Sequence, residues 1–309
     1  MKKNVIITGA TGFVGKHLLT FLDPTKYQYT LLTRNPDKLS ANPEGFSVVC
    51  GDLNDPESLK KAFRDQDILI NLAAEVRNQE LLEQTNINGT QHLIEAIRSS
   101  GIKRVIHLSS VGVVGKGYSS EPLRVNENEL PTPQNRYEQT KLRSEELLLE
   151  VHKMQVELVV LRPTNVFGEM HPFNALNNLL NHIQSGKTMV YTKQAQVNYL
   201  YVGDLCQSIR WFLENEGHPG VFQVGNSIRL IEFYEKIEQK LKVKGKKWAI
   251  PYFLIRCVEL IGIHKLRAIS NRVIYDDSKL KKLMGDYQFG IDEGLDLTID
   301  YFRKKGMLK

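Results

Sequence analysis

No apolar run in the 309 residues is long enough to span a bilayer. The longest outside the strand-like segments, "YFLIRCVELIGI" from Tyr252 to Ile263, is broken by Arg256 and Glu259 and reads as a buried helix. Cysteine is scarce: Cys50, Cys206 and Cys257 stand far apart without metal-ligand spacing. That excludes a disulfide framework and a zinc site, and fits a reducing compartment. Neither sign of charge dominates, with 41 Lys and Arg against 35 Asp and Glu, interspersed, for a net +6. The one dense basic run, "KVKGKK" from Lys242 to Lys247, reads as a solvated turn, so no nucleic-acid partner is expected. Internal repeats and low-complexity linkers are lacking. Met1-Lys2-Lys3 passes straight into a strand-like run, leaving no room for a signal peptide, and a cytoplasmic location is expected. With 41% apolar residues the chain can build one large core and a smaller lobe.

Short apolar segments recur: "NVIITG", "YTLLTR", "FSVVCG", "DILINLA", "RVIHLSS", "ELVVLRP" and "VFQVG". Near-continuous apolar character over so few residues suits strands buried on both faces. Helical patterns lie between them, at Gly15 to Phe21, Glu57 to Phe63, Asn86 to Ser99 and Gln139 to His152. Strand alternating with helix predicts an α/β, doubly wound parallel sheet. After Arg162 the rhythm loosens into a smaller, mostly helical lobe. The expected division is a sheet domain over 1–165 with 199–225, and the smaller lobe over 166–198 with 226–309.

"VIITGATGFVGKHLL" places Gly9, Gly12 and Gly15 between the first strand and the first helix. A strand, a tight glycine turn and a helix start turn backbone N–H groups toward an anion, and a missing Cβ lets a pyrophosphate come close. Thr33 and Arg34 end the second strand in "LLTRNP", where an acidic residue would hold a ribose hydroxyl and a basic one suits a 2′-phosphate. NADP is therefore the expected cofactor, with NAD as the alternative. Asp52 in "GDL" is placed to accept from an adenine amino group or to form a turn. "NLAA", Asn71 to Ala74, ends the fourth strand in small residues, as backbone passing under a cofactor requires.

"RYEQTKLRSEELLLE" sets Tyr137 and Lys141 four apart on one helix face. A phenol near pKa 10 is a poor base until a neighbouring ammonium stabilises its phenolate. The pair can then move a proton to or from a carbinol oxygen. In "HLSSVG", Ser109 and Ser110 end the fifth strand on the edge that carries the glycine turn, where a hydroxyl can fix a substrate oxygen.

Taken with "NINGT", "SSVGVVG", "LRPTNVFG", "YLYVGDL", "FQVGN" and the closing "DDSKLKKLMG…GIDEGLDLTIDYF", these motifs run in order along the chain. The sequence resembles the extended short-chain dehydrogenase/reductase group, the NAD-dependent epimerase/dehydratase family. The resemblance implies a Rossmann-type sheet with a C-terminal substrate lobe. Ser110 would be the catalytic hydroxyl, Tyr137 the acid/base and Lys141 the partner of the nicotinamide ribose, with Asn86 beside them. The cofactor set implied by the motifs is Gly9, Thr11, Gly12, Phe13, Val14 and Gly15, then Arg34, Asp52 and Leu53, then Leu72, Ala73 and Ala74, with Tyr137 and Lys141. Asn165 matches a position that contacts substrate, as Ser110 does. Asp204 matches the family's aspartate in V-x-D-L, where a cap is the expected role. No metal site is implied, and a homodimer is.

Departures from the family pattern narrow the chemistry. Val197 and Asn198 stand where sugar-nucleotide epimerases carry an arginine, and His171, near an acid histidine of some members, is displaced by one residue. The residues after Ser110 are Val111 and Gly112 rather than the acidic pair of the 4,6-dehydratases, so dehydration is not expected. Glu121, Glu127 and Glu129 are the later carboxylates, in a polar loop. The leading expectation is an NAD(P)-dependent oxidoreductase or epimerase moving a hydride to or from a secondary alcohol or ketone carbon of a nucleotide sugar. The alternatives are an NADPH-dependent reductase of a non-nucleotide carbonyl compound, flavonol-reductase- or hydroxysteroid-like, and a non-catalytic cofactor-binding scaffold.

Overall fold

Each apolar run becomes a strand of one sheet. The computed structural model describes residues 2–39, 44–115, 121–171, 175–255 and 267–308. The strands are β1 (Lys3–Thr8), β2 (Tyr27–Thr33), β3 (Phe46–Cys50), β4 (Ile68–Asn71) and β5 (Arg104–Leu108), joined by Glu157–Pro163 and Gly220–Val224. Across the sheet the order is Gly220–Val224, Glu157–Pro163, β5, β4, β1, β2, β3. Pairing from β3 across to Glu157–Pro163 is parallel throughout. Successive strands step outward one way from β1 and the other way from β4, so the order reverses between these two. Ligands of open parallel sheets bind outside the carboxyl ends of the strands at such a reversal.

Register carries this geometry to individual side chains. Thr8 lies opposite Asn71, and Asn71 opposite His107, so three polar residues share one row at the carboxyl ends of β1, β4 and β5. Upstream on the same strands, Ile6, Ile7, Leu69, Ile70, Val105 and Ile106 are buried.

Local chemistry fixes the helices: α1 (Phe13–Leu18), α2 (Pro56–Phe63), α3 (Gly89–Arg98) and α4 (Arg136–Leu148). Asp55 caps α2 by accepting from the N–H groups of Glu57 and Ser58, with Pro56 opening the helix. Asn135 caps α4 by accepting from Glu138 N–H, and the Glu138 carboxylate in turn accepts from Gln134 N–H. α4 starts three residues before the predicted Gln139, because this cap reaches further upstream than the apolar pattern. A π-turn, Gln84–Asn88, precedes α3. Arg162 and Glu145 form a buried pair between Glu157–Pro163 and α4, with Arg162 Nη2 2.6 Å from Glu145 Oε2.

The chain forms two compact units. One comprises Met1–Gly115, Leu130–Pro163 and Leu205–Phe222; the other comprises Lys116–Glu129, Thr164–Asp204 and Gln223–Lys309. The second unit is richer in strands than the expected mostly helical lobe. Gln196–Tyr201 lies between Asn226–Arg229 and Asn165–Phe167 in a three-stranded sheet, and two further strand pairs are present. Its helices include Ala175–Gln184, Leu230–Leu241 and Gly290–Lys304. Of the predicted buried helix Tyr252 to Ile263, only Tyr252–Ile255 lies within the described residues, where Ile255 is buried and Phe253 and Leu254 are exposed. Cys257 lies outside the described residues. Among the described residues no helix is long and apolar enough to cross a membrane.

Candidate active site

Three glycines of one turn have three different reasons to be glycine. Gly9 has φ of +75°, and a Cβ there would stand 2.7 Å from Ala73 N, where the ends of β1 and β4 meet. A Cβ on Gly15 would fall 2.3 Å from Gly9 O and 2.6 Å from Ala10 Cα, so α1 presses directly on the turn. Gly12 is exposed, and a Cβ there would meet only Gly9 O at 3.2 Å. Two glycines thus close the turn, while the third leaves its outer surface bare for an incoming group.

A cleft of about 260 Å³ opens over this turn. Of the cofactor residues predicted from sequence, Gly9, Thr11, Gly12, Arg34, Asp52 and Leu53 line it, as do Leu72, Ala73 and Ala74. Phe13, Val14 and Gly15 are not among the residues that line it: Phe13 meets the His17 ring edge-on, and the Val14 carbonyl faces the Cys206 thiol. Sequence reasoning missed Asn35, Lys38, Glu75 and Thr85, which also line the cleft. Lys38 ends a short turn capped by the Asn35 side chain, and "NPDK" was the available signal. Asp52 accepts from Asn54 N–H, the turn-forming option, while still facing the cleft. Glu75 accepts from the N–H groups of Val76, Arg77 and Asn78, which, with Arg34 nearby, hold its carboxyl below the usual range despite burial.

Asn86 works as a brace. Its Oδ1 accepts from Glu75 N–H at 2.8 Å, while Nδ2 donates to Glu75 O and to Thr140 Oγ1 on α4. It ties the segment after β4 to the helix bearing Tyr137 and Lys141.

Ser110 caps the turn Val111–Val114, its Oγ accepting from Gly112 N–H at 3.1 Å. The first turn of α4 lies against that segment, because a Cβ on Gly112 would be 2.7 Å from Glu138 Cγ. Glu138 therefore lies against the segment that Ser110 caps, and the sequence analysis did not single it out; its carboxylate accepts from Gln134 N–H. Lys141 is buried and donates to Leu108 O at 2.7 Å, pinning α4 to the end of β5 two residues before Ser110. Burial pushes Lys141 down to about 8, against a smaller pull upward from Glu145. Burial, with Glu138 beside it, pushes the half-buried Tyr137 up to about 12. That direction opposes the lowering expected of an adjacent ammonium, since the Lys141 nitrogen is directed to Leu108 and His107. Ser109 Oγ is buried without a hydrogen-bond partner among the described residues.

The remaining candidates belong to the second unit. Asn165 is exposed and donates from Nδ2 to Asn198 O at 3.0 Å. Asp204 accepts from Phe289 and Gly290 N–H groups, both at 2.9 Å, at the start of Gly290–Lys304, the capping role expected of it. Glu127 accepts from Gln223 N–H, and Glu121 from the Gln194 amide. His171 is half-buried.

Comparison with known proteins identifies the family and the fold. The model of the NAD dependent epimerase/dehydratase family matches residues 5–225. An N-acetyl-alpha-D-glucosaminyl-diphospho-ditrans,octacis-undecaprenol 4-epimerase of Escherichia coli O157:H7 is 28% identical, covering 97% of this chain and 96% of its own. Among solved structures, the UDP-N-acetylglucosamine 4-epimerase of Methanobrevibacter ruminantium superposes with a TM-score of 0.77 at 24% identity, over 99% of this chain and 100% of its own. The UDP-glucuronic acid 4-epimerase of Bacillus cereus, solved with NAD, gives 0.76 at 23%, over 98% and 99%.

The glycine geometry separates folding from binding. Gly15→Ala, which drives a methyl into backbone, is expected to lower stability by about 1–3 kcal/mol. Gly12→Ala is expected to melt within about 0.5 kcal/mol of wild type yet lose dinucleotide binding, because its methyl occupies the bare face. Thermal melts and calorimetric titration with NAD and NADP measure both. Unchanged binding by Gly12→Ala would place the phosphates elsewhere.

Proposed function

The chain belongs to the NAD-dependent epimerase/dehydratase family, as an enzyme of the extended short-chain dehydrogenase/reductase type, and we propose that it epimerises or reduces a secondary alcohol or ketone carbon of a nucleotide sugar. The observation that carries this reading is the Lys141 bond to Leu108 O, which holds the helix of Tyr137 against the strand end that leads to Ser110.

The cleft fits a dinucleotide: its floor is bare at Gly12, and Ala73 and Ala74 offer no bulk where a cofactor would lie. Gly9, Thr11 and Gly12 would hold the diphosphate, Asp52 and Leu53 the adenine side, and Lys141 the nicotinamide ribose. When bound, the nicotinamide supplies a hydride acceptor or donor. Ser110 orients the substrate oxygen through its hydroxyl, and Tyr137 takes or returns the proton of that oxygen. Val111 and Gly112 offer no side-chain acid or base, and the Glu138 carboxylate is engaged by Gln134 N–H, so water is retained in the product.

Sugar 1-diphosphates are the substrate chemistry shared by the relatives' names, and a nucleotide as the other diphosphate ester is the proposed class. NADP is the proposed cofactor. Arg34 and Lys38 reach the cleft at the end of β2, and Thr33 stands where a ribose-binding carboxylate would.

Tyr137→Phe keeps the ring and removes the proton, so turnover is expected to fall about 10²- to 10⁴-fold with cofactor affinity unchanged. Steady-state assays with UDP-sugars and calorimetric titration check it. Turnover within about threefold of wild type, well short of that acid–base contribution, would move the chemistry to another group. Arg34→Ala is expected to weaken NADP binding about tenfold, the loss of one charge-assisted contact, and to leave NAD binding as it was. Tighter binding of NAD by the wild-type protein would contradict the NADP assignment.

A further inference from the structure

One surface of the second unit takes no part in the reaction above. The basic run from Lys242 to Lys247 leads directly toward the apolar stretch that begins at Tyr252, and between Glu238 and Glu259 the sequence has no acidic residue. Lys247–Ala249 pairs in parallel with Met189–Tyr191. Lys247 turns its ammonium to Glu238 on Leu230–Leu241, so by strand alternation Lys246 and Trp248 stand on the opposite face. There Trp248 is 65% exposed. Residues 252–255 turn helically. Tyr252 lies under the Arg272 guanidinium, 3.8 Å from its ring centroid, and Ile255 is buried, which leaves Phe253 and Leu254 facing outward, 64% and 46% exposed.

Exposed apolar side chains gathered in one place mark an interaction surface. An extended chain covers at most about 3.6 Å per residue, so Trp248 and Phe253 stay within about 18 Å of each other. The lysines around them are uncompensated. Lys242, Lys244 and Lys246 are exposed and form no ion pair among the described residues, and the same holds for Lys187, whose carbonyl lies beside Gly245. Glu238 is engaged by Lys247 and by Gly245 N–H, and Asp292 and Asp296 by Lys236 and Lys240. Rings and an aliphatic side chain beside free ammonium groups match a lipid–water boundary, where indole and phenyl settle at headgroup level and lysines reach the phosphates. A nucleic-acid strand would use the lysines and the rings but gives Leu254 nothing to pack on.

We propose that Trp248, Phe253 and Leu254, with Lys242, Lys244 and Lys246, dock the protein on a bilayer that contains anionic lipids. The protein lies on such a membrane and does not cross it, in keeping with the lack, among the described residues, of a helix able to span one. The rings enter the boundary, and the lysines supply an attraction that weakens with salt. Two weak contributions are needed because neither a few lysines nor a few apolar side chains hold a protein at a bilayer alone. The inference stands apart from the nucleotide-sugar reading, since none of these residues lines the cleft.

The test uses the full chain without cofactor or substrate. Trp211 and Trp248 are the two tryptophans, so Trp211→Phe leaves Trp248 as the reporter. The protein is sedimented with vesicles of phosphatidylcholine alone or with about 30% phosphatidylglycerol, and its emission is followed with brominated acyl chains as quenchers. The expected result is partition at least about tenfold stronger to the anionic vesicles, weakening as salt rises, with Trp248 emission shifted to the blue and quenched by bromine. Lys244→Gln with Lys246→Gln is expected to weaken partition about 25-fold, about fivefold for each lysine. Phe253→Ser is expected to weaken it about tenfold, the loss of one buried ring. Both variants change exposed side chains and are expected to melt with the wild type; should one not fold, the other and the Trp248 quenching decide. No partition, partition that the variants leave unchanged, or a Trp248 that bromine does not quench overturns the proposal. So does a face that takes up single-stranded RNA or a second copy of the chain in place of vesicles.

Discussion

A lysine with almost no access to water is the constraint around which the first unit is arranged. Burying an ammonium is costly unless its hydrogen-bond partners are built in. Lys141 has the Leu108 carbonyl on one side and the His107 ring on another. To meet them, α4 must lie over the end of β5, and that placement is held by the Arg162–Glu145 pair, the Asn86 brace and the Asn135 cap. Each of these anchors would be unnecessary for a helix that only covered the sheet. Together they bring the Tyr137 turn of α4 against the segment capped by Ser110.

A second constraint acts at the other end of the same row of strands. The close approach of Gly9 to Ala73 brings the ends of β1 and β4 together at the reversal in strand order. It also sets Ala73 N–H against the Thr8 hydroxyl. The glycine turn and the buried lysine are therefore linked by backbone geometry and by a row of polar side chains running from Thr8 through Asn71 and His107 to Lys141.

Much of this was legible in the residue order. Seven apolar runs marked the seven strands because strands buried on both faces need little else. The glycine spacing, the Tyr137 and Lys141 interval and Ser110 are local patterns, and the structure gathers the residues they identify around one sheet edge. What sequence could not show came from register and capping. His107 reads as one more residue of an apolar strand until its row partners are known. Glu138 reads as a solvated helix residue until the Asn135 cap folds it over Gly112. Lys38 and Glu75 reach the cleft through turns whose geometry no periodicity encodes. The strand-rich second unit was underestimated because Asn165–Phe167 and Val273–Tyr275 are three-residue strands, too short for alternation to register.

The central proposal, in its epimerase form, is that this edge of the sheet would move a hydride from a sugar carbon and return it, with Tyr137 handling the proton. Rapid mixing of the dinucleotide-loaded enzyme with UDP-glucose, UDP-N-acetylglucosamine and UDP-glucuronic acid, following the near-ultraviolet band of reduced nicotinamide and the product mass, tests it most directly. The account predicts that one of these sugars gives a band that rises and decays within a turnover, yields a product of unchanged mass, and loses the band in Tyr137→Phe. A product lighter by one water, or a band that persists in Tyr137→Phe, would contradict it.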